Sequence, residues 1–355
     1  IHAEILNRGA LGVGWVISFP QPDRMGGDAM FAEALSWGGS VIAMFGTPNG
    51  KFPETSGTVL LGEDIGGIMS DGVVVNIPIL SESAAQGIAT APTDIDNLVR
   101  RIPLLYRTPD GFVASFGTQV MQVLAGTDTY IIKTNELGIE EVTVQGLSPK
   151  RTDSLGRGWI SWVDTPSTTL QEMNVEGKFV FVGVTANGVM PQVATPVGLL
   201  EPHFIQSALA ESILIPNSPY IPDYSPLVDV LSAVLSVILI WACISYMNIY
   251  AGVISALLIF VGTGISGFYS IRAGVLLDFT WPLITQFVTA TVSFYERFRE
   301  QWKLRAQIKK QFSTYLSPDM VNILVKNPDM MKLGGERKMM TFMFTDIVGF
   351  TPISE

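Results

Sequence analysis

Three apolar stretches in close succession after Pro226 constrain this chain more than any other feature. Residues 227–247 carry one charge, Asp229, near their start; residues 249–271 carry none; residues 274–294 carry one, Asp278. A helix needs about 20 apolar residues to cross ~30 Å of hydrocarbon, and each stretch has that length. Soluble cores rarely hold three such helices in a row, so three transmembrane helices are expected. They account for a chain that is 48% hydrophobic and only 15% charged, and the residues ahead of them are numerous enough to bury a core of their own.

Three spans put the two flanks on opposite sides of a bilayer, and charge distinguishes the sides. Residues 1–225 hold 11 Lys/Arg against 23 Asp/Glu, whereas residues 295–340 hold 10 against 5. Arg297, Arg299, Lys303, Arg305, Lys309 and Lys310 follow the third stretch. By the positive-inside rule that end is expected in the cytoplasm, and the acidic front half outside, in a periplasm or its equivalent. Trp241, Tyr246, Tyr250, Tyr269 and Trp281 stand near span ends, as interfacial anchors do. Asp278, Thr280, Pro282 and Gln286 give the third stretch a polar stripe and a kink. Either Asp278 faces a helix bundle and transmits motion, or it stays hydrated at the outer interface. Gly262, Ser266 and Gly267 would let the second helix approach a neighbour closely. Basic residues placed next to a membrane span argue against a nucleic-acid partner.

Cys243, inside the apolar block, is the only cysteine, which excludes an intrachain disulfide. With His2 and His203 the only histidines and no cysteine cluster, no structural zinc site is expected. The chain opens inside a helical pattern with neither an initiator Met nor a signal peptide, and both ends are expected to be cuts in a longer protein.

Residues 1–225 alternate helix-like and strand-like patterns. Helix is expected at 3–7, 28–37 (with Asp28 as its cap) and Pro202–Leu214. Strand is expected at 13–19, 40–45, 130–133, 158–163 and 178–184. Such alternation predicts an α/β domain with a largely parallel central sheet. Residues 216–226, with four prolines, read as a stiff linker into the membrane. Gly177-Lys178 is not a phosphate loop, because no glycine stands five residues ahead of it.

Residues 12–24 with 28–35, then 94–107, then 177–193 with 201–209, together resemble the type-2 CHASE extracellular sensor. The resemblance covers residues 1–215 and implies a sensor for an unidentified extracellular ligand, here without the family's first strand and helix. That family stands ahead of cyclases and of kinases, so it implies sensing without naming the output. Within it, Asp94, Asp96, Arg100 and Arg101 form the densest charge cluster, either a ligand-facing loop or a solvated turn with local ion pairs. His203, after Glu201, is either a pH-sensitive contact or a packing histidine.

Beyond the spans, Phe294, Phe298, Gln301, Arg305, Ile308, Phe312 and Tyr315 follow a 4-3-4-3-4-3 spacing, the seam of a short coiled coil over residues 295–316. A solvated basic helix near the headgroups is the competing reading. Ser317-Pro318-Asp319 and Asn327-Pro328-Asp329 each look like a helix stop and restart.

At the end of the chain, Met340, Phe342 and Phe344 alternate with polar or small positions as a buried strand does. The strand delivers Asp346 to a turn through Gly349, a place that suits a hard divalent cation and a phosphate. Phe344-Thr345-Asp346-Ile347-Val348-Gly349-Phe350-Thr351 resembles the opening of the class III nucleotide cyclase catalytic domain. Tyr315-Leu316-Ser317-Pro318-Asp319-Met320-Val321 and Leu333-Gly334-Gly335-Glu336-Arg337-Lys338 are similar to the segment that precedes it in membrane-bound bacterial members.

That resemblance implies a transducing element over residues 317–338 and the first strand of an α+β, ferredoxin-like cyclase domain over residues 339–355. It also implies a homodimer joined through coiled coil and catalytic domain, acting on ATP, or alternatively GTP, with two Mg²⁺ or Mn²⁺ ions per site. One ion activates the ribose 3′-hydroxyl and the other holds the triphosphate. Asp346 would be the first metal aspartate, Ile347 would offer a backbone carbonyl to a metal, and the N–H groups of Gly349, Phe350 and Thr351 would face the phosphates. The family's second aspartate and transition-state residues would lie past Glu355, so the chain as it stands is expected to be inactive by itself. A cyclase-like module that only dimerises, and a sensor kinase, are the competing outputs; no kinase glycine-rich loop or phospho-accepting histidine is visible.

Overall fold

Two glycines decide where the middle of the front domain lies. In the computed structural model β1 (Gly12–Trp15) is flanked on both sides by parallel strands. A Cβ on Gly12 would stand 2.3 Å from the Gly39 carbonyl oxygen, and one on Gly14 would stand 2.9 Å from the rings of both Phe116 and Phe179. Bare backbone at these two positions lets aromatic rings pack directly on the strand.

The structure describes residues 1–312 and 339–354, except 163–164, 170–171, 173, 187–189, 216–217 and 347. They fall into two units, residues 1–234 with 261–283, and residues 235–260 with 284–355.

The first unit opens with α1 (His2–Asn7), β1, α2 (Asp28–Leu35) and β2 (Ser40–Lys51). There follow β3 (Gly57–Leu61), β4 (Ile68–Met69), β5 (Val73–Val74), α3 (Pro78–Ser81), β6 (Ala85–Ile88), β7 (Arg101–Pro103), β8 (Leu105–Thr108) and β9 (Gly111–Ala114). Next come α4 (Phe116–Ala125), β10 (Thr129–Asn135), β11 (Gly138–Val144), β12 (Lys150–Arg151) and β13 (Arg157–Trp159). The unit's α/β part closes with β14 (Phe179–Val182), β15 (Val193–Thr195), β16 (Gly198–Leu200) and α5 (Pro202–Leu214).

The central sheet runs β14-β1-β2-β6 in parallel, and β5 adds antiparallel to the far end of β2. The expected parallel α/β core is therefore present. A second sheet, β12-β11-β10-β3, is mostly antiparallel, and a three-stranded sheet β4-β8-β9 with the pairs β7-β13 and β15-β16 completes the unit. Helix α4 buries Phe116 and Val120 against Val16, Val41, Ala43 and Ala89 of the central sheet region. It ends where Gly126 takes the left-handed φ of +65° that stops a helix without Cβ strain. The fully buried Gln206 ties α5 to α4 and to the end of β6: its Oε1 accepts from Gly117 N–H at 2.9 Å and its Nε2 donates to the Ala89 carbonyl at 3.0 Å.

Several boundaries differ from expectation. β1 stops at Trp15 because the chain then turns to Asn76, whose Oδ1 accepts from Phe19 N–H at 2.7 Å. β2 runs on to Lys51, since its second half finds β5 as a partner. Asp28 does not cap α2 but is its first residue; its carboxylate accepts from Asp23 N–H, while Asp23 accepts from Gly27 N–H. β13 is shorter than 158–163, and residue 163 lies outside the described residues.

Two helices, α6 (Ser225–Tyr246) and α7 (Ile249–Arg272), are long and apolar enough to cross a membrane by length and composition. The third, α8 (Thr280–Phe312), begins six residues later than expected. Gly274 takes φ +78° and ends α7, and residues 274–276 run extended beside Tyr220, which exchanges hydrogen bonds with Gly274 and Leu276 at 2.9 Å. Asp278 stands ahead of the helix, its carboxylate accepting from Thr280 N–H at 2.9 Å, so it belongs to neither a buried stripe nor the helix itself. Pro282 falls in the first turn, where no helical hydrogen bond is lost, so it starts the helix and does not kink it. Only 16 residues of α8 precede Glu296, about 24 Å of helix, less than the thickness expected of a span.

In the second unit Ile240 and Ile244 of α6 pack on Ala256 and Ile259 of α7 and on Ala290 of α8. Arg297 donates to the Ile244 carbonyl near the end of α6, a cation placed where a helix presents unpaired carbonyls. α8 continues unbroken past this point, with Phe294 and Phe298 exposed along it. Tyr315 and the expected transducing element, 317–338, lie outside the described residues.

Candidate functional site

The strand order places a crevice in the front domain. The chain passes from β1 to β2 in one direction and later inserts β14 on the other side of β1. Ligands of open α/β sheets bind beyond the carboxyl ends of strands where the order reverses in this way. β14 runs out here through Gly183, where a Cβ would stand 2.2 Å from His203 Nδ1, so only glycine lets the His203 ring lie against the strand end. That ring sits 4.4 Å from the ring of Phe204, and burial lowers its pKa even though Glu201 nearby pulls it up. His203 is thus a packing residue of α5.

Two cavities flank the start of α5. One, about 270 Å³, lies among Val184, Thr185, Met190, Gln192 and Glu201. Its carboxylate is already satisfied, because Glu201 Oε1 accepts from Gln192 Nε2 at 3.0 Å, and that bond is the main cause of its lowered pKa. The other, about 440 Å³, lies among Trp162, Thr165, Ser167, Leu200 and Phe204. Its neighbour Glu211 stands on the same face of α5 as Phe204, seven residues on, and hydrogen-bonds Thr165. The second Glu211 oxygen, Oε2, is buried with no hydrogen-bond partner among the described residues, and burial pushes this carboxyl above its usual range.

The Asp94 cluster is larger than the sequence suggested, and it is a clasp. Asp94 pairs with Arg101 at 2.5 Å, Arg157 at 3.3 Å and Arg100 at 3.7 Å. Asp153 pairs with Arg101 at 3.0 Å and Arg157 at 2.8 Å. Arg101 also lies over the Trp159 ring, 5.4 Å from its centre. Asp94 is only 10% exposed, so the network joins the 94–101 and 153–157 segments and offers no open charge to a ligand. Asp96 joins it only at its exposed edge, paired with Arg100 at 2.6 Å.

At the other end of the chain, the expected strand before Asp346 is not formed. Residues 339–346 have no regular structure, and Met340, Phe342 and Phe344 are 65, 73 and 94% exposed. A strand needs a neighbour to take its N–H and C=O groups, and no described strand runs beside this one. The glycine turn is present, with Gly349 at φ +79°, and Phe350 and Thr351 open the short helix α9 (Phe350–Ser354). Ile347 lies outside the described residues. Asp346 supplies a single carboxylate, and among the described residues no group of three or more His, Cys, Asp or Glu could hold a metal ion. A hard cation takes six or more oxygens, so this segment does not by itself make a metal site.

Comparison with known families decides what the front of the chain is. Residues 2–247 match the CHASE2 domain family. The chain belongs to that family. The match runs past residue 215, through the linker and α6, so the first apolar helix falls within the CHASE2 segment. No curated protein and no solved structure matches the chain. The CHASE2 domain is an extracellular sensor, and the residues that meet beside α5 (Thr165 and Glu211, with Trp162 on the cavity wall) carry no sequence signal. They come from a loop and a helix far apart in the chain, and nothing periodic links them.

Proposed function

We propose that this protein is a transmembrane receptor whose extracellular CHASE2 sensor controls a class III nucleotide cyclase on the cytoplasmic side. The CHASE2 match followed by two apolar helices of spanning length carries the receptor part. The third span in this reading is the apolar start of α8, whose basic continuation from Arg297 to Lys310 favours the cytoplasm. The output rests on the string Phe344–Thr351 and its lead-in, which resemble the opening of the cyclase domain. ATP is the substrate, converted to cyclic AMP and pyrophosphate by a homodimer. Asp346 would contribute one carboxylate to Mg²⁺ or Mn²⁺, and the Gly349 turn would bring backbone N–H groups toward the phosphates.

The test is cyclic nucleotide formation by membranes carrying the full-length gene product, with Mn²⁺ and ATP or GTP, beside the Asp346→Ala form. Cyclic AMP that disappears in the variant supports the reading. Cyclic GMP formed from GTP would change the substrate, and undiminished turnover in Asp346→Ala would remove Asp346 from the site. A well-expressed dimer that makes neither nucleotide would mark the segment as a silent dimerisation module.

A further inference from the structure

Two adjacent turns at the edge of the front domain carry a leucine where turn chemistry asks for none. In the β10–β11 turn Asn135 Oδ1 accepts from Leu137 N–H at 2.9 Å, and Gly138 follows at φ +135°. In the turn before β13 Asp153 Oδ1 accepts from Leu155 N–H at 3.1 Å, and Gly156 follows at φ +75°. Turns of this kind need the Asn or Asp and the glycine, and their other positions are usually polar. The two turns lie side by side, since a Cβ on Gly138 would stand 2.3 Å from the Ser154 carbonyl oxygen. Leu137 is 67% exposed and Leu155 40%. The linker into α6 is fastened at the same place. Asn135 Nδ2 donates to Asp223 Oδ2 at 3.0 Å, two residues before α6 begins, and the Arg151 guanidinium lies 4.4 Å from the centre of the Tyr220 ring. Tyr220 in turn exchanges main-chain hydrogen bonds with Gly274 and Leu276, between α7 and α8. The turns are therefore level with one end of each of these helices, where Ile221, Tyr224 and Trp281 are exposed as well.

We propose that these two turns form a foot that rests on the outer leaflet of the bilayer, with Leu137 and Leu155 at the boundary between phospholipid headgroups and acyl chains. The inference rests on the receptor reading given above, in which α6 and α7 span the membrane. The hydrogen bond from Asn135 to Asp223 leaves no spacer, so a bilayer that receives α6 from Ser225 onward also meets the Asn135–Gly138 turn. An exposed leucine gains by leaving water, and the lipid boundary accepts it without a shaped pocket. Tyr and Trp, as at positions 224 and 281, are the residue types that settle at headgroup level. Arg151 and Arg272 are exposed at the same level, and guanidinium groups suit lipid phosphates. Glu136, next to Leu137, keeps the insertion shallow, because its carboxylate must stay among hydrated headgroups. Residues 220–224 are thus a clamped strap and not a free-standing spacer. A shift of the foot on the lipid would pull on Asp223 and Tyr220, and through them on α6 and on the α7–α8 connection.

The experiment is spin-label EPR on this chain in phosphatidylcholine nanodiscs. A Cys243→Ala background removes its one cysteine, so that a nitroxide can be placed at a single chosen site. Leu137→Cys and Leu155→Cys report the foot, Val234→Cys reports α6, and Met25→Cys, in the exposed turn ahead of α2, reports water. Collision with oxygen, which concentrates in lipid, is compared with collision with a water-soluble nickel chelate. The oxygen-to-nickel ratio at 137 and 155 is expected at least threefold above that at 25 and below that at 234. Adding Leu137→Asp should lower the ratio at 155 at least twofold, with the melting temperature unchanged because the site is exposed. Ratios at 137 and 155 equal to that at 25, with 234 in lipid, would overturn the foot and leave the receptor reading standing. A ratio at 234 matching that at 25 would instead sink the spanning of α6, and the receptor reading with it. Labels at 137 and 155 shielded from both reagents, with spin–spin broadening between chains, would put a second copy on the turns and overturn the lipid contact.

Discussion

The Lys150 ammonium donates to the main-chain carbonyl of Ser212, two residues before the end of α5. The side chain is buried on β12, and burial alone pushes its pKa down from 10.5 to about 8. Below pH 8 the group is charged in both folded and unfolded chains, and the cost of burying it is felt in full. Between about 8 and 10.5 the unfolded chain keeps a proton that the folded one has released, so stability rises with pH across that window. The rise should be on the order of 2–3 kcal/mol. Lys150→Met removes the charge at similar volume, and the Ser212 carbonyl still accepts from Ser218 Oγ at 3.0 Å. Its Tm at pH 7 is expected above that of the parent, with no extra gain from pH 8 to 10.5. Parallel Tm–pH curves for the two proteins would show that Lys150 is not the titrating group.

Gly183 and His203 occupy space that only one of them can fill. Adding a methyl group at Gly183 drives it to 2.2 Å from Nδ1 and 2.3 Å from Cγ of the ring. Gly183→Ala should cost about 1–3 kcal/mol, as overpacking does. In a His203→Ala background the same change should be nearly free, because the obstructing ring is gone. Urea denaturation of the four proteins in the cycle measures this, and simple additivity of the two changes would refute the contact.

How far the sequence could be read depended on whether an element's signal was local. Helix α5 was bounded by Pro202 at its start and by a change of pattern at Leu214, and the structure has it over those residues. Helices α6 and α7 were legible because hydropathy along one segment suffices. The second sheet was not read, apart from residues 130–133, because β3, β10 and β12 meet across long loops and each is half polar. The start of α8 was misplaced for a related reason: residues 274–279 are apolar enough for a span, yet their backbone is committed to Tyr220. The larger of the two cavities was invisible because Trp162 and Phe204 come together only in the folded domain. The charge cluster at Asp94 was seen, but its partners Asp153 and Arg157, more than fifty residues away, were not.

Asp94 and Asp96 look equivalent in sequence and should behave differently. Asp94 is shielded and touches three guanidinium groups, so Asp94→Ala leaves Arg101 and Arg157 with Asp153 alone. Breaking a shielded network in this way should cost about 2–4 kcal/mol. Asp96→Ala loses one exposed pair with Arg100, screened by solvent, and its Tm should match the parent. The Arg100 hydrogen bond is the main reason that the Asp96 pKa is lowered, so carbon NMR of that carboxyl should see the value return toward normal in Arg100→Ala. Equal Tm losses for the two aspartate variants would contradict a buried clasp.

Gln206 offers a test of whether α5 is fixed to the sheet or free to respond. Its amide serves two main-chain groups at once, Gly117 N–H on α4 and the Ala89 carbonyl just past β6. Neither finds water easily, since Gln206 is fully buried and a Cβ on Gly117 would stand only 2.7 Å from the Gln206 main-chain oxygen. Gln206→Leu strands both groups and should cost about 2–4 kcal/mol. Gln206→Glu keeps an acceptor for Gly117 but loses the donor to Ala89, and should fall between leucine and the parent. Hydrogen exchange separates the two effects. In the leucine variant the Gly117 amide should exchange at least tenfold faster, while in the glutamate variant it should stay protected. Fast exchange at Gly117 in the parent protein would mean that α5 already parts from α4 in the native state, and that Gln206 does not anchor it.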